Sequence, residues 1–156
     1  MSKDKIFALH SVAKQVKRTF NHGKIEGLDE NLKLEYLIDY WDIISEELDE
    51  QWADIEKLDN PEYKGKNDFE FKLLELTGFI AWSLMGPQIL GRSYAEGMGL
   101  DKEHVRLLVR ECGAVDWRKD GQYHGMTGEY GAAIIKRDME RLIPGDHSST
   151  DEESEK

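Results

Sequence analysis

The stretch VDWRKDGQYHGMTGEYGAAIIKR, Val115 to Arg137, threads Asp116, Trp117, Tyr123, His124, Thr127 and Glu129 among four glycines. Three kinds of chemistry suit these residue types. Thr127-Gly128-Glu129 at a helix start brings a hydroxyl cap and free backbone amides together, an arrangement that can cradle an anion. Asp116, His124 and Glu129 are the side chains from which a small acid–base site would be built. Trp117 and Tyr123 are of the kind that anchors protein interfaces when they face a partner. These six residues are the binding candidates of the chain, and Trp117 with Tyr123 leads as an exposed anchor.

Spacing weighs against a reaction. Arg118 and Lys119 stand eight or more residues before Thr127 and Glu129 adds negative charge to the cradle, so phosphate-loop spacing is absent. A plain helix cap beside a packed Trp117 is the favoured competing reading. His124 and Glu129 are five residues apart, and His104 lies beside Asp101 and Glu103. Neither pattern sets two ligands one helical turn apart, as a zinc-binding His-Glu-x-x-His helix does. Cys112, the single cysteine, precedes Gly113 on an apolar face and reads as a buried, inert thiol. It also excludes an internal disulfide and any multi-cysteine metal cluster. Ser11, Ser45, Ser83 and Ser93 lack a Gly-x-Ser-x-Gly elbow. No catalytic residue, metal ligand or cofactor is therefore assigned.

The elements that must position this stretch read as helices almost throughout. Ile6, Leu9, Ala13, Val16 and Phe20 form one stripe of a first helix, which Gly23 can end in a left-handed conformation. Leu34, Leu37, Trp41, Ile44 and Leu48 form the stripe of a second helix from about Asp29 to Ile55, with Asp39, Asp42, Glu46 and Glu50 opposite. A polar loop spans Glu56 to Asn67, and DFEFKLLELTGFIAWSLM follows as an apolar central helix. Gly86-Pro87 should end or kink it, because proline lacks the amide hydrogen and strikes the preceding turn. A shorter helix from Pro87 to about Gly97 is expected next. Asp101 then caps a helix whose Val105, Leu108 and Cys112 face inward. The last helix starts near Thr127 and ends before Pro144, with Tyr130, Ile134 or Ile135, Met139 and Leu142 directed to the core. Trp41 and Trp82 read as core, and Trp52 joins Trp117 as a candidate for exposure.

The expected fold is thus all-α: a compact bundle of five or six helices, with room for a short strand or hairpin between Ala114 and Gly125. Residues 1–144 form one helical domain. Residues 145–156 are acidic, rich in serine and without apolar residues, and are expected to be a disordered tail. With 156 residues, 39% of them apolar, the chain can bury a substantial core. No apolar run approaches the roughly 20 residues of a membrane span, so a cytoplasmic protein without membrane contact is expected.

Charge is unevenly distributed within a total of −11. Residues up to Ile25 carry +5, Glu26 to Asn60 carry −11, and Gly145 to Lys156 carry −4. The acidic middle repels polyanions, which confines nucleic-acid contact to the basic first helix. Docking of that helix on the acidic second one would neutralise both.

Between Leu32 and Leu142, FEFKLLELTGFIAWSLM with its Gly78-Phe79 step, a short helix, and then GAVDWRKDGQYHGMTGEYGAAII with Asp116-Trp117 resemble the C-terminal helical region of DGQHR-domain proteins. That group includes the DndB-like regulators of DNA sulfur modification. Its naming motif belongs to an N-terminal domain resembling the ParB nuclease fold, which this sequence does not show. Asp120-Gly121-Gln122 repeats three letters, but Tyr123 and His124 replace the His-Arg pair, so no functional residue is carried over. The resemblance implies a context: a prokaryotic or phage protein connected with DNA modification or phage defence, whose helical part makes contacts. The leading expectation is a non-enzymatic interaction or regulatory protein with a protein partner. The alternatives are an acidic mimic of DNA that inhibits a nucleic-acid-binding protein, and a small enzyme with its site in the 115–130 loop.

Overall fold

A computed structural model describes residues 9–59, 62 and 70–143 of the chain. These form an all-α bundle of six helices: α1 (Leu9–Thr19), α2 (Glu30–Glu47), α3 (Asp49–Trp52), α4 (Leu76–Ser93), α5 (Lys102–Cys112) and α6 (Gly128–Leu142). A 3-10 segment, Ala53–Asp59, follows α3, and a minimal hairpin, β1 (Tyr94–Ala95) and β2 (Gly99–Leu100), joins α4 to α5. The acidic tail, residues 145–156, and Ile6 of the first stripe lie outside the described residues.

α4 is the axis of the bundle. It is apolar over most of its circumference and must be enclosed. Accordingly α1, α5 and α6 all pack on it, and Trp82, Met85, Ile89 and Leu90 are fully buried. α1 approaches α4 closely, made possible by a missing side chain: a Cβ on Gly86 would lie 2.6 Å from the Thr19 carbonyl oxygen. The same glycine explains why Pro87 does not end the helix. A residue before proline is driven out of helical geometry by clashes of the proline ring with its backbone N–H and its Cβ, and Gly86 lacks the second. The expected break and the separate helix after Pro87 are therefore replaced by one continuous element through Ser93.

Four further expectations are corrected. The hairpin lies at Tyr94–Leu100, pairing Tyr94 with Leu100 and Ala95 with Gly99, because Gly97 and Gly99 both adopt φ +85 and let the chain reverse. The central helix starts at Leu76; Lys72 N donates to Trp117 O at 2.7 Å and Lys119 N to Glu70 O at 2.8 Å, which pairs Phe71 with Arg118, and Glu75 N then closes a turn on Lys72 O before the helix begins. The second helix stops at Glu47, since Leu48 leaves helical geometry at φ −117, ψ 45. Gly23 is not among the positive-φ glycines, and α1 already ends at Thr19.

Other parts stand as read. Asp101 caps α5 through His104 N as expected, and Asp29, expected as the first residue of the second helix, stands just before α2 and caps it by accepting from Leu32 N at 3.0 Å. Val105, Leu108 and Cys112 are buried, and burial pushes the Cys112 thiol up to about 12. On α6, Ile135 and Met139 face the core, whereas Tyr130 is 73% exposed and Leu142 is exposed too. On α2 the inward stripe is Tyr36, Tyr40, Ile43 and Ile44, which turns Leu34 outward.

Candidate functional site

The 113–128 connection is built around Trp117. Its ring stacks on Trp82 with centroids 5.9 Å apart and planes 18° from parallel, and its Nε1 donates to Gly113 O at 2.9 Å. Tyr123 lies equally deep, its hydroxyl donating to Asp138 Oδ2 at 2.6 Å. Burial, aided by the Asp138 carboxylate, raises the phenol well above its usual value. Both rings are 1% exposed. The expected exposed anchor, Trp117 with Tyr123, is thereby overturned: an indole and a phenol whose polar atoms each find an internal partner gain more by burial than by exposure.

Asp116 ties the turn together. Its Oδ1 accepts from Arg118 Nε at 2.9 Å and from Arg118 N, and its Oδ2 accepts from Arg118 Nη2 and from Gln122 N at 2.9 Å. The Arg118 guanidinium first, and the Gln122 amide second, hold the carboxyl well below the usual carboxylate range. Gly121 is required beside it, because a Cβ there would come 2.2 Å from Asp116 Oδ2. A carboxyl whose folded value is depressed contributes stability that is present above its unfolded value and lost as pH falls through the folded one. Asp116→Asn should therefore destabilise the protein at neutral pH, and its deficit against the wild type should shrink as urea midpoints are measured from about pH 7 down to about pH 3. A deficit that does not change with pH would contradict this role.

The remaining candidates have separate tasks. His124 is exposed, with Nδ1 3.4 Å from Lys119 O. Gly125 at φ +82 and Gly128 at φ +62 shape the approach to α6. Thr127 occupies the cap position of α6 without a side-chain cap bond. The Gly128 amide, one of those that would cradle an anion, donates to Thr77 Oγ1 at 3.0 Å, and the buried Lys72 extends its ammonium to Met126 O at 3.1 Å. Glu129 faces α1, pairing with Arg18 at 2.9 Å and Lys14 at 3.6 Å, and these cations lower its carboxyl. Asp116 is thus committed to Arg118 and Gln122 and Glu129 to α1, while His124 stays on the surface, so the three do not converge. Among the described residues no group of three His, Cys, Asp or Glu side chains is placed to hold a metal ion. Asp138, Arg118 and Thr77, the partners that lock the loop, carry no signal in spacing that would mark them.

The charges are settled between other helices than those expected. α1 directs Lys14 and Arg18 to α6, while the acids of α2 meet the cations of α5. Arg106 reaches Glu46 at 2.8 Å and Glu47 at 2.9 Å, Arg110 reaches Glu47 at 2.9 Å, and Lys102 lies 3.7 Å from Asp39. The two arginines, Arg110 before Arg106, lower the Glu47 carboxyl. A mimic of DNA needs free carboxylates along one face, and this pairing removes the row next to α5 from that use.

The outer face of α2 is left. Leu34 is 56% and Ile38 is 52% exposed, one helical turn apart, with half-buried Leu37 and Trp41 beside them. Trp41 continues the apolar surface onto α3 through Trp52 at 6.2 Å. Leu34, expected in the core, faces outward; the signal for this is that α2 carries apolar or tyrosine residues over about two thirds of its circumference, more than one neighbouring helix can cover. A recess of about 650 Å³ near the hairpin is lined by His22, Lys24, Tyr94 and Glu96, whose mixed charges select no ligand class. No helix of the described residues is long and apolar enough to cross a membrane. No protein-family model, curated protein or solved structure matches the chain.

Proposed function

We propose that this protein acts by contact: a helical interaction or regulatory protein that binds a protein partner through the outer face of α2. The observation that carries the reading is the half-open pair Leu34 and Ile38 in the middle of a packed bundle. A single exposed leucine is ordinary, but two at one helical turn, continued by Trp41 and Trp52, form a patch of the kind interfaces use. The 115–130 loop supports the same reading from the other side, since Asp116, Trp117, Tyr123 and Glu129 are occupied in holding the fold. The resemblance to the helical region of DGQHR-domain proteins supplies the proposed setting, an accessory of a prokaryotic DNA modification or phage-defence system.

The test is photocrosslinking from position 38. With benzoylphenylalanine in place of Ile38, irradiation in the host cells should give a defined protein adduct, and the same probe at Ala133 on α6 should not. The captured partner, once purified, should bind the Leu34→Ser/Ile38→Ser double variant about tenfold or more weakly. Adducts from position 133 with none from position 38, or unchanged affinity of the double variant, would refute the assignment.

A further inference from the structure

We infer that the occupant of this face is a basic amphipathic helix of the partner protein, an inference that rests on the reading of α2 as the contact surface. At about 100° per residue, Asp42 and Glu35 fall within about 60° of Ile38 on the flank away from Trp41. Both are exposed, and among the described residues neither has an ion pair. The acids next to them on the side of the helix that meets α5 are matched: Asp39, Glu46 and Glu47 each pair with Lys102, Arg106 or Arg110. The cations of α5 thus leave Glu35 and Asp42, the two acids nearest Ile38, as free carboxylates along an apolar stripe.

That pattern fits one kind of ligand. Leu34 and Ile38, with Leu37 and Trp41, offer apolar contacts at the i, i+3, i+4 and i+7 spacing that a second helix can match with its own apolar stripe. Lysine or arginine one position around that helix would meet Glu35 and Asp42. The net charge of −11 draws a cationic segment in from a distance and repels both a polyanion and a second copy of the chain.

The probe is a fluorescent 15-residue helical peptide of leucine and lysine with one apolar face. Its controls are a scrambled peptide of the same composition, which has the charge without the face, and a leucine–glutamate version, which has the face without the charge. Anisotropy should show saturable binding of the first, about tenfold or more tighter than either control. Leu34→Ser/Ile38→Ser should weaken it about tenfold, and Glu35→Gln/Asp42→Asn should weaken it severalfold while flattening its salt dependence. All four positions are exposed, so the variants should keep the thermal midpoint of the wild type. Equal binding of the scrambled peptide, indifference to both double variants, or a concentration-dependent dimer in sedimentation that Leu34→Ser/Ile38→Ser abolishes would overturn the inference. If position 38 crosslinks a partner whose contacting segment is neither basic nor helical, the contact surface stands and this inference alone falls.

Discussion

Trp117→Ala is expected to cost about 3–5 kcal/mol and to lower the thermal unfolding midpoint by about 10 °C or more. The indole is 1% exposed, stacked on Trp82 and hydrogen-bonded to Gly113 O, so truncation leaves a cavity against the central helix and orphans a carbonyl at the end of α5. Stacking contributes roughly 0.5–1.5 kcal/mol beyond the buried area. Against a typical total stability of about 5–15 kcal/mol, this one change removes a large share of the protein's stability. Trp117→Phe, which keeps a ring over Trp82 but loses the Nε1 bond and part of the indole's volume, should fall between Trp117→Ala and the wild type. Calorimetry or circular dichroism on the purified variants measures it, and a shift of only a few degrees for Trp117→Ala would show that the loop is peripheral. The result also governs how interaction experiments are designed. Loss of a partner in Trp117→Ala reports unfolding, not a broken contact.

Gly86→Ala is the second large effect and runs against propensity. Exchanging glycine for alanine inside an exposed helix stabilises by about 1 kcal/mol. Here the added methyl would meet the Thr19 carbonyl oxygen at 2.6 Å, its Cγ2 at 2.7 Å and its Cα at 2.8 Å. Two of these three atoms are backbone, so α1 must move as a body. The new Cβ would also face Pro87, whose ring disfavours helical geometry in the preceding residue. Overpacking of this kind costs about 1–3 kcal/mol, which outweighs the propensity gain. The internal control is Gly23→Ala, where a Cβ meets nothing within 4 Å and φ is not positive; that variant should be neutral or slightly stabilising. Denaturant titration of the pair decides, and equal midpoints would mean that α1 is not held against α4 as described.

The bundle was legible in the sequence where a single physical signal ruled. Asp29 and Asp101 announce helix starts because a short acidic side chain caps free amides. Val105, Leu108 and Cys112 announce an inward face because they recur at helical spacing while Lys102, Glu103, Arg106, Arg110 and Glu111 leave the opposite side polar. Where two signals competed, the local one misled. Pro87 reads as a stop until the glycine before it is placed against α1. The stripe of α2 reads in the wrong phase because Tyr36 and Tyr40 count as half-polar, yet Tyr40 is fully buried and gives its hydroxyl to Trp82 O at 2.6 Å. Of the six loop candidates, Trp117 and Tyr123 turned inward for the same reason: the acceptors that satisfy their polar atoms, Gly113 O and Asp138, are supplied only by tertiary packing. Conversely, nothing in the local pattern of Leu34 and Ile38 separates an outward leucine from a core one; only the position of α5 does.

Hydroxyl-radical footprinting of the free protein and of its complex with the crosslinked partner puts both halves of this picture into one measurement. Leu34 and Ile38 should be oxidised in the free protein and protected in the complex, while Trp117 and Tyr123 stay unreactive in both. Ready oxidation of Trp117 in the free protein, or protection that falls on the 115–130 loop and leaves α2 untouched, would show that the contact surface lies where the sequence first placed it.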